Sequence, residues 1–82
     1  MKKRLHQAVE WFGWVGVFAI FCAYAGLNVG LMASEELTYQ LLNLIGGLLI
    51  LIDAWVDRNY QPVALNALWS LIALIAIFRS FL

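Results

Sequence analysis

Three long apolar stretches alternate with short polar segments along the chain. The apolar stretches cover residues 11–32, 37–56 and 62–81. Each has about the 20 residues that a helix needs to cross the hydrocarbon core of a bilayer. The intervening links are so short that neighbouring helices must run antiparallel. The pattern predicts an all-α integral membrane protein, a single transmembrane domain over residues 1–82 with three transmembrane helices.

The second stretch differs from its surroundings because it carries polar and small residues at helical spacing. One stripe of this helix contains Tyr39, Asn43, Gly46, Gly47, Ile50, Asp53 and Ala54. A lone amide or carboxylate facing lipid would have no hydrogen-bonding partner. We therefore expect this stripe to face protein or water, with the other two helices arranged against it.

Small residues recur every three or four positions in the first stretch. They are Gly16, Ala19, Ala23, Gly26 and Gly30. In a membrane such a stripe lets helix backbones approach closely, and packing then holds the helices together. Close packing is one interpretation of the stripe, and a smooth wall along a passage is the other.

Polar groups on different helices fall at similar depths when residues are counted from the segment ends at about 1.5 Å each. Asn28 and Asn43 share one level, Asp53 and Asn66 another, and Tyr24 and Ser70 lie nearer the middle. Such residues act as interhelical glue in many membrane proteins. The functional alternative is a solute path with amide groups and aromatic walls, formed by Tyr24, Asn43, Asn66, Trp69 and Ser70.

Asp53 is the acidic residue that lies well inside an apolar stretch. One interpretation places it at the membrane interface, hydrated and close to Arg58. The other makes it a proton- or cation-coupling group, or one half of a gate with Arg58, since ionisable groups inside membranes commonly mark transport pathways.

Composition narrows the functional classes. The chain has 82 residues, of which 65% are hydrophobic and 12% charged, and a mean hydropathy of +0.86. A soluble chain of this size could not cover so much apolar surface. Beyond its first few residues the chain has no basic cluster that could neutralise phosphate groups, so we expect no binding of nucleic acid. No catalytic or metal-binding motif is present, and Cys22 stands alone, so we expect no enzyme activity, no cofactor and no metal.

The distribution of basic residues predicts an orientation. Lys2, Lys3, Arg4 and Arg58 flank one side of the predicted membrane, and Arg79 the other. We expect a multi-pass protein of the inner (plasma) membrane, and the positive-inside rule places its N-terminus in the cytoplasm and its C-terminus outside. The basic start and Ala23-Tyr24-Ala25 also fit a cleaved signal peptide, but Glu10 and the length of the apolar run favour a retained helix.

Several spaced residues carry a resemblance to a known family. They are Gly13-xx-Gly16, Ala23-Tyr24, Tyr39-xx-Leu42-Asn43-xx-Gly46 and Asn66-xx-Trp69. With them the chain resembles a small bacterial three-helix membrane family, the CBU-like domain, described as permease-like or uncharacterised. The resemblance covers nearly the whole chain and implies no settled activity.

A more distant resemblance is to the SemiSWEET and PQ-loop sugar transporters. Three short helices, with Asn66 just inside the third, carry it. The resemblance implies a triple-helix bundle that dimerises in parallel around a central path, with Asn66 as the pocket asparagine.

The sequence therefore predicts a small permease-like transporter half. One protomer has too few helices to enclose a solute, so transport implies a homodimer with the path at its seam. The adjacent glycines Gly46 and Gly47 would supply a hinge. The absence of a fixed-charge pocket favours a small neutral solute of unknown identity. The alternative is a non-transporting accessory subunit that packs against a larger membrane protein through its Gly/Ala stripe.

Overall fold

The structure is a computed structural model that describes residues 2–82, with side chains from Arg4 onward. It contains three helices, α1 (Lys2–Asn28), α2 (Leu37–Val56) and α3 (Tyr60–Ser80). The bounds of α2 are those expected from the sequence, and those of α3 differ by one or two residues. Pro62 lies in the first turn of α3, where its missing N–H leaves no backbone acceptor unpaired.

The first helix differs most from its predicted range. It begins nine residues earlier than Trp11, because residues 2–10 are mostly good helix formers although they are too polar to read as a membrane segment. It ends at Asn28 rather than Met32, because Gly30 adopts a left-handed conformation with φ +84°. The N–H of Leu31 donates to Gly26 O at 2.8 Å and that of Gly30 to Leu27 O at 3.3 Å, which together form a Schellman cap.

The middle helix separates the other two. Helix α2 packs against both α1 and α3, whereas no Cα atom of α1 lies within 8 Å of one in α3. The expectation that the outer helices are arranged against α2 is confirmed. The molecule measures 43 × 24 × 19 Å, and because α1 and α3 do not meet, its three helices do not close into a bundle.

Two adjacent glycines let α2 approach a different neighbour on each side. A Cβ atom at Gly46 would lie 2.7 Å from Ile20 Cγ1 and 2.8 Å from the carbonyl oxygen of Gly16 in α1. One at Gly47 would lie 2.5 Å from the hydroxyl of Ser70 in α3. Consecutive residues of a helix point about 100° apart, so the pair Gly46-Gly47 serves both interfaces at one level.

Burial is inverted relative to a water-soluble protein. The buried side chains are small or polar, namely Val9, Ala23, Ala54, Ala73, Asn43, Asn66 and Ser70. Large apolar side chains such as Phe18, Ile72 and Phe78 are about two-thirds exposed, at 68%, 67% and 69%. All three helices are long and apolar enough to span a membrane, so the chain is compatible with a multi-pass membrane protein.

The turn between α2 and α3 meets the beginning of α1. His6 Nδ1 lies 3.3 Å from Asp57 Oδ1, so this turn and the N-terminal part of α1 are at the same end of the molecule. Arg58 has φ +56°, and the N–H groups of Arg58 and Asn59 donate to Trp55 O and Ala54 O at 3.0 and 2.9 Å. This is a second Schellman cap, with an arginine at the position that normally favours glycine.

Candidate functional site

A groove lies over α2, in the gap between α1 and α3. It has a volume of about 530 Å³, within the range of about 300–1,000 Å³ that is usual for small-molecule sites. Helix α2 forms its floor, α1 one wall, and Trp69 of α3 the other. Its lining includes Val17, Tyr24, Tyr39, Asn43, Ile50 and Trp69. Three of the five predicted path residues, Tyr24, Asn43 and Trp69, thus line one groove.

A hydrogen bond between α2 and α3 fixes one end of this groove. The indole N–H of Trp69 donates to Asn43 Oδ1 at 2.8 Å, and Asn43 Nδ2 donates to the Tyr39 carbonyl at 2.8 Å. Asn43 is only 5% exposed, whereas Trp69 is 43% exposed. The bond therefore anchors the polar edge of the indole in the interface and leaves part of the ring at the groove.

The other two predicted path residues lie elsewhere in the α2–α3 interface. Asn66 Nδ2 donates to the Pro62 carbonyl at 2.9 Å in its own helix, and the Ser70 hydroxyl is buried beside Gly47 without a hydrogen-bonding partner among the described residues. Neither residue lines the groove. The predicted pairing of polar groups by depth does not occur for Asn66, because its amide bonds to a carbonyl four residues earlier.

The opposite end of the groove is acidic. A smaller cavity of about 250 Å³ shares Val17 and Ile50 with the groove, and Glu10, Asp53 and Asp57 line it. The two cavities therefore continue into each other along α1 and α2. The Asp53 carboxyl group lies where a Cβ atom of Gly13 would be, so the glycine makes room for the carboxylate, whose Oδ1 is buried without a partner among the described groups.

The structure does not bring the predicted gate partner to Asp53. Arg58 is exposed beyond the end of α2, and the described side chains form no ion pair between it and Asp53. The other charged residues that line its cavity, Glu10 and Asp57, are acidic instead. A coupling role for this carboxylate, or a gate with Arg58, stays a prediction.

The four glycines proposed for packing or hinging have different environments. Gly46 and Gly47 lie in helix interfaces, within one unbroken helix. Around Gly26 the nearest atoms that an added Cβ would meet belong to Met32, and Gly30 has none within 4 Å. The pair Gly26-xxx-Gly30 is therefore not the place where α1 approaches α2.

That approach is made by Gly16, the first residue of the small-residue stripe, and by Gly13, one turn before it. Because these glycines have no side chain, the Asp53 side chain can pack against Gly13 and the Gly46 carbonyl oxygen against Gly16. Their three-residue spacing, followed by Ala23, was a signal in the sequence. The apolar lining residues Val17 and Ile50 carried no such signal, because they look like any other aliphatic residue of a membrane segment.

Fold and groove together define an all-helical protein with three helices long and apolar enough to cross a membrane. A family model matches residues 9–82, and the chain belongs to that family, which is uncharacterised. No curated protein and no solved structure matches the chain significantly. The family match does not relate the chain to SemiSWEET or PQ-loop transporters and does not make it a permease, so the SemiSWEET resemblance and the permease-like character stay predictions.

Proposed function

We propose that this chain is a multi-pass protein of the inner membrane and one half of a small permease-like transporter. A homodimer would carry a small neutral solute along a path between its two protomers. The observation that carries the proposal is the open groove over α2. It runs from Asn43 and Trp69 at one end towards Asp53 at the other.

Membrane insertion is supported by the inverted burial. Small and polar side chains fill the interfaces of the three helices, while large aromatic and aliphatic side chains are exposed. Water would disfavour such a surface, whereas hydrocarbon would favour it. The N-terminal end, which carries most of the basic residues, would face the cytoplasm.

Dimerisation is supported by the missing contact between α1 and α3. With the outer helices apart, one protomer forms a floor and two low walls but no roof. A second protomer related by a two-fold axis would close both grooves at once, because the same surface then serves both partners. The buried amide of Asn43 would lie at the seam.

Solute flux in proteoliposomes tests this function. Purified protein should speed the entry of a neutral solute, measured across a panel that runs from glycerol to short-chain alcohols and amides. Tyr24→Trp should slow it by narrowing the groove, while Phe78→Trp, at an exposed position outside the groove, should not. If no neutral solute moves faster than through empty vesicles, and the chain instead purifies with a larger membrane protein in fixed ratio, it is an accessory subunit.

A further inference from the structure

We infer that the ligand of the groove is a neutral amphiphile, with an apolar body against Val17, Phe21 and Ile50 and one hydrogen-bonding head at Asn43. The inference deepens the proposed function, on which it rests, by naming the class of solute. It separates this class from sugars and polyols, which carry hydroxyl groups over their whole surface.

The groove has a polar end and an apolar middle. Tyr24, Tyr39, Asn43 and Trp69 line one end together with the apolar Leu27, and Val17, Ile20, Phe21 and Ile50 line the part beyond it. Asn43 and Ile50 are seven residues apart in α2, which corresponds to about 10 Å along the helix axis. A ligand of that length has polar partners for one end only.

The head-group site is a buried amide with unused hydrogen-bonding capacity. Asn43 is 5% exposed and takes part in two hydrogen bonds, one through Oδ1 and one through Nδ2. An amide can form four, so the described residues leave one N–H and one lone pair for a ligand. The bonds to Trp69 and Tyr39 hold this amide in place, and a fixed donor–acceptor pair suits a hydroxyl or an amide head.

Charge favours a neutral head at this end. No charged side chain is among the described residues that line the groove, so an ionised head would enter without a counter-ion, at a large cost in desolvation. At the other end, Glu10, Asp53 and Asp57 would repel an anion.

Photolabelling in lipid nanodiscs tests the inference. The full chain in phosphatidylcholine nanodiscs is exposed to a photoreactive decanol that carries a diazirine on its chain, and labelled peptides are mapped by mass spectrometry. Label should concentrate on residues 17–27 and on Trp69, and unlabelled decanol should displace it. Decanoate, which has the same chain and a charged head, should displace it less well, and glycerol should not displace it.

Matched variants test the binding of the ligand's head separately from the binding of its apolar body. Asn43→Leu should lower the displaceable label by about three- to tenfold, the effect of losing one or two hydrogen bonds. Asn59→Leu is its control, because Asn59 is at the far end and makes no side-chain cap bond. Should Asn43→Leu fail to fold, Val17→Phe fills the apolar part at a half-exposed position, with Val15→Phe outside the groove as its control.

The labelling and flux results together decide whether the groove binds a neutral amphiphile and whether the protein transports it. Displaceable label that falls with Asn43→Leu or Val17→Phe supports the amphiphile site. Label spread over exposed faces such as Phe78 and not displaced by decanol, or displacement by glycerol as strong as by decanol, overturns it. Flux of glycerol without displaceable decanol label would uphold transport and reject this solute class, whereas displaceable label without any flux would uphold the site and reject transport.

Discussion

Gly16 and Gly46 face each other across the α1–α2 interface so closely that neither has room for a side chain. A Cβ atom on Gly46 would lie 2.8 Å from the Gly16 carbonyl oxygen, and one on Gly16 would meet the Gly46 carbonyl at 2.5 Å. Real Cβ atoms do not approach an oxygen so closely, and both obstacles are backbone. This contact sets how near α1 comes to the middle helix, and with it the depth of the groove.

Alanine at either glycine should therefore separate the two helices. We expect Gly16→Ala and Gly46→Ala each to lower the free energy of unfolding by about 1–3 kcal/mol, as overpacking does in other tightly packed interiors. The measurement is unfolding in mixed micelles followed by circular dichroism. Gly26→Ala is the control, because its Cβ would meet the flexible Met32 side chain at 3.1 Å. Equal effects at all three glycines would contradict the assignment.

The hydrogen bond between Trp69 and Asn43 should couple α2 to α3. In a double-mutant cycle of Trp69→Phe and Asn43→Leu, we expect a coupling free energy of about 0.6–1.7 kcal/mol, the range found for interhelical hydrogen bonds in membranes. Trp69→Phe retains most of the ring and removes the N–H donor. Additive effects of the two substitutions would show that the bond does not contribute to stability.

Gly30 and Arg58 adopt left-handed backbone conformations after the ends of α1 and α2. Replacing the arginine by glycine and replacing the glycine by alanine should therefore change the stability in opposite directions. Arg58→Gly should stabilise the protein by about 0.5–1 kcal/mol, because left-handed backbone costs other residues about 1–2 kcal/mol and glycine adds some entropy to the unfolded chain. Gly30→Ala should destabilise it by about 1 kcal/mol for the same reason. Thermal unfolding in detergent measures both, and shifts of the same sign would contradict the two caps.

Cysteine accessibility tests the proposed topology. In a Cys22→Ala background, Asn59→Cys should react with a membrane-impermeant maleimide only after the cells are opened, because its turn lies at the N-terminal end with His6 and Asp57. Ser34→Cys should react in intact cells. Reaction of both on the same side would exclude three spanning helices, and the reverse pattern would invert the orientation.

Much of the fold could be predicted from the sequence because length and polarity alone decide which segments suit a membrane. The predicted stripe on α2 is confirmed at Asn43, Gly46, Gly47 and Ala54, which are buried. The end of α1 was misplaced because Leu31 and Met32 are apolar, although they lie beyond a glycine that stops the helix. Asn28-Val29-Gly30 contains residue types that are typical of a helix end, but the prediction followed the apolar residues that continue after it.

The site was only partly predictable because a side-chain amide in a helix can bond to a backbone carbonyl of its own helix instead of to another side-chain amide. Asn43 and Asn66 each donate to the carbonyl four residues earlier in their own helix, so equal depth in the membrane does not make two amides partners. The partner of Asn43 was instead the indole of Trp69, 26 residues away. The distance between α1 and α3, which opens the groove, is a property of how the helices pack and has no local signal.

Disulfide cross-linking across the groove tests the central claim, that two protomers face each other through it. In membranes of cells that produce a Cys22→Ala chain, Phe21→Cys at the groove should form an intermolecular disulfide on mild oxidation. Ile52→Cys, nine residues after Asn43 and thus on the opposite face of α2, should not. Dimers with Phe21→Cys alone are the predicted result. Dimers only with Ile52→Cys, or none with either, would show that the groove is not the seam of a homodimer.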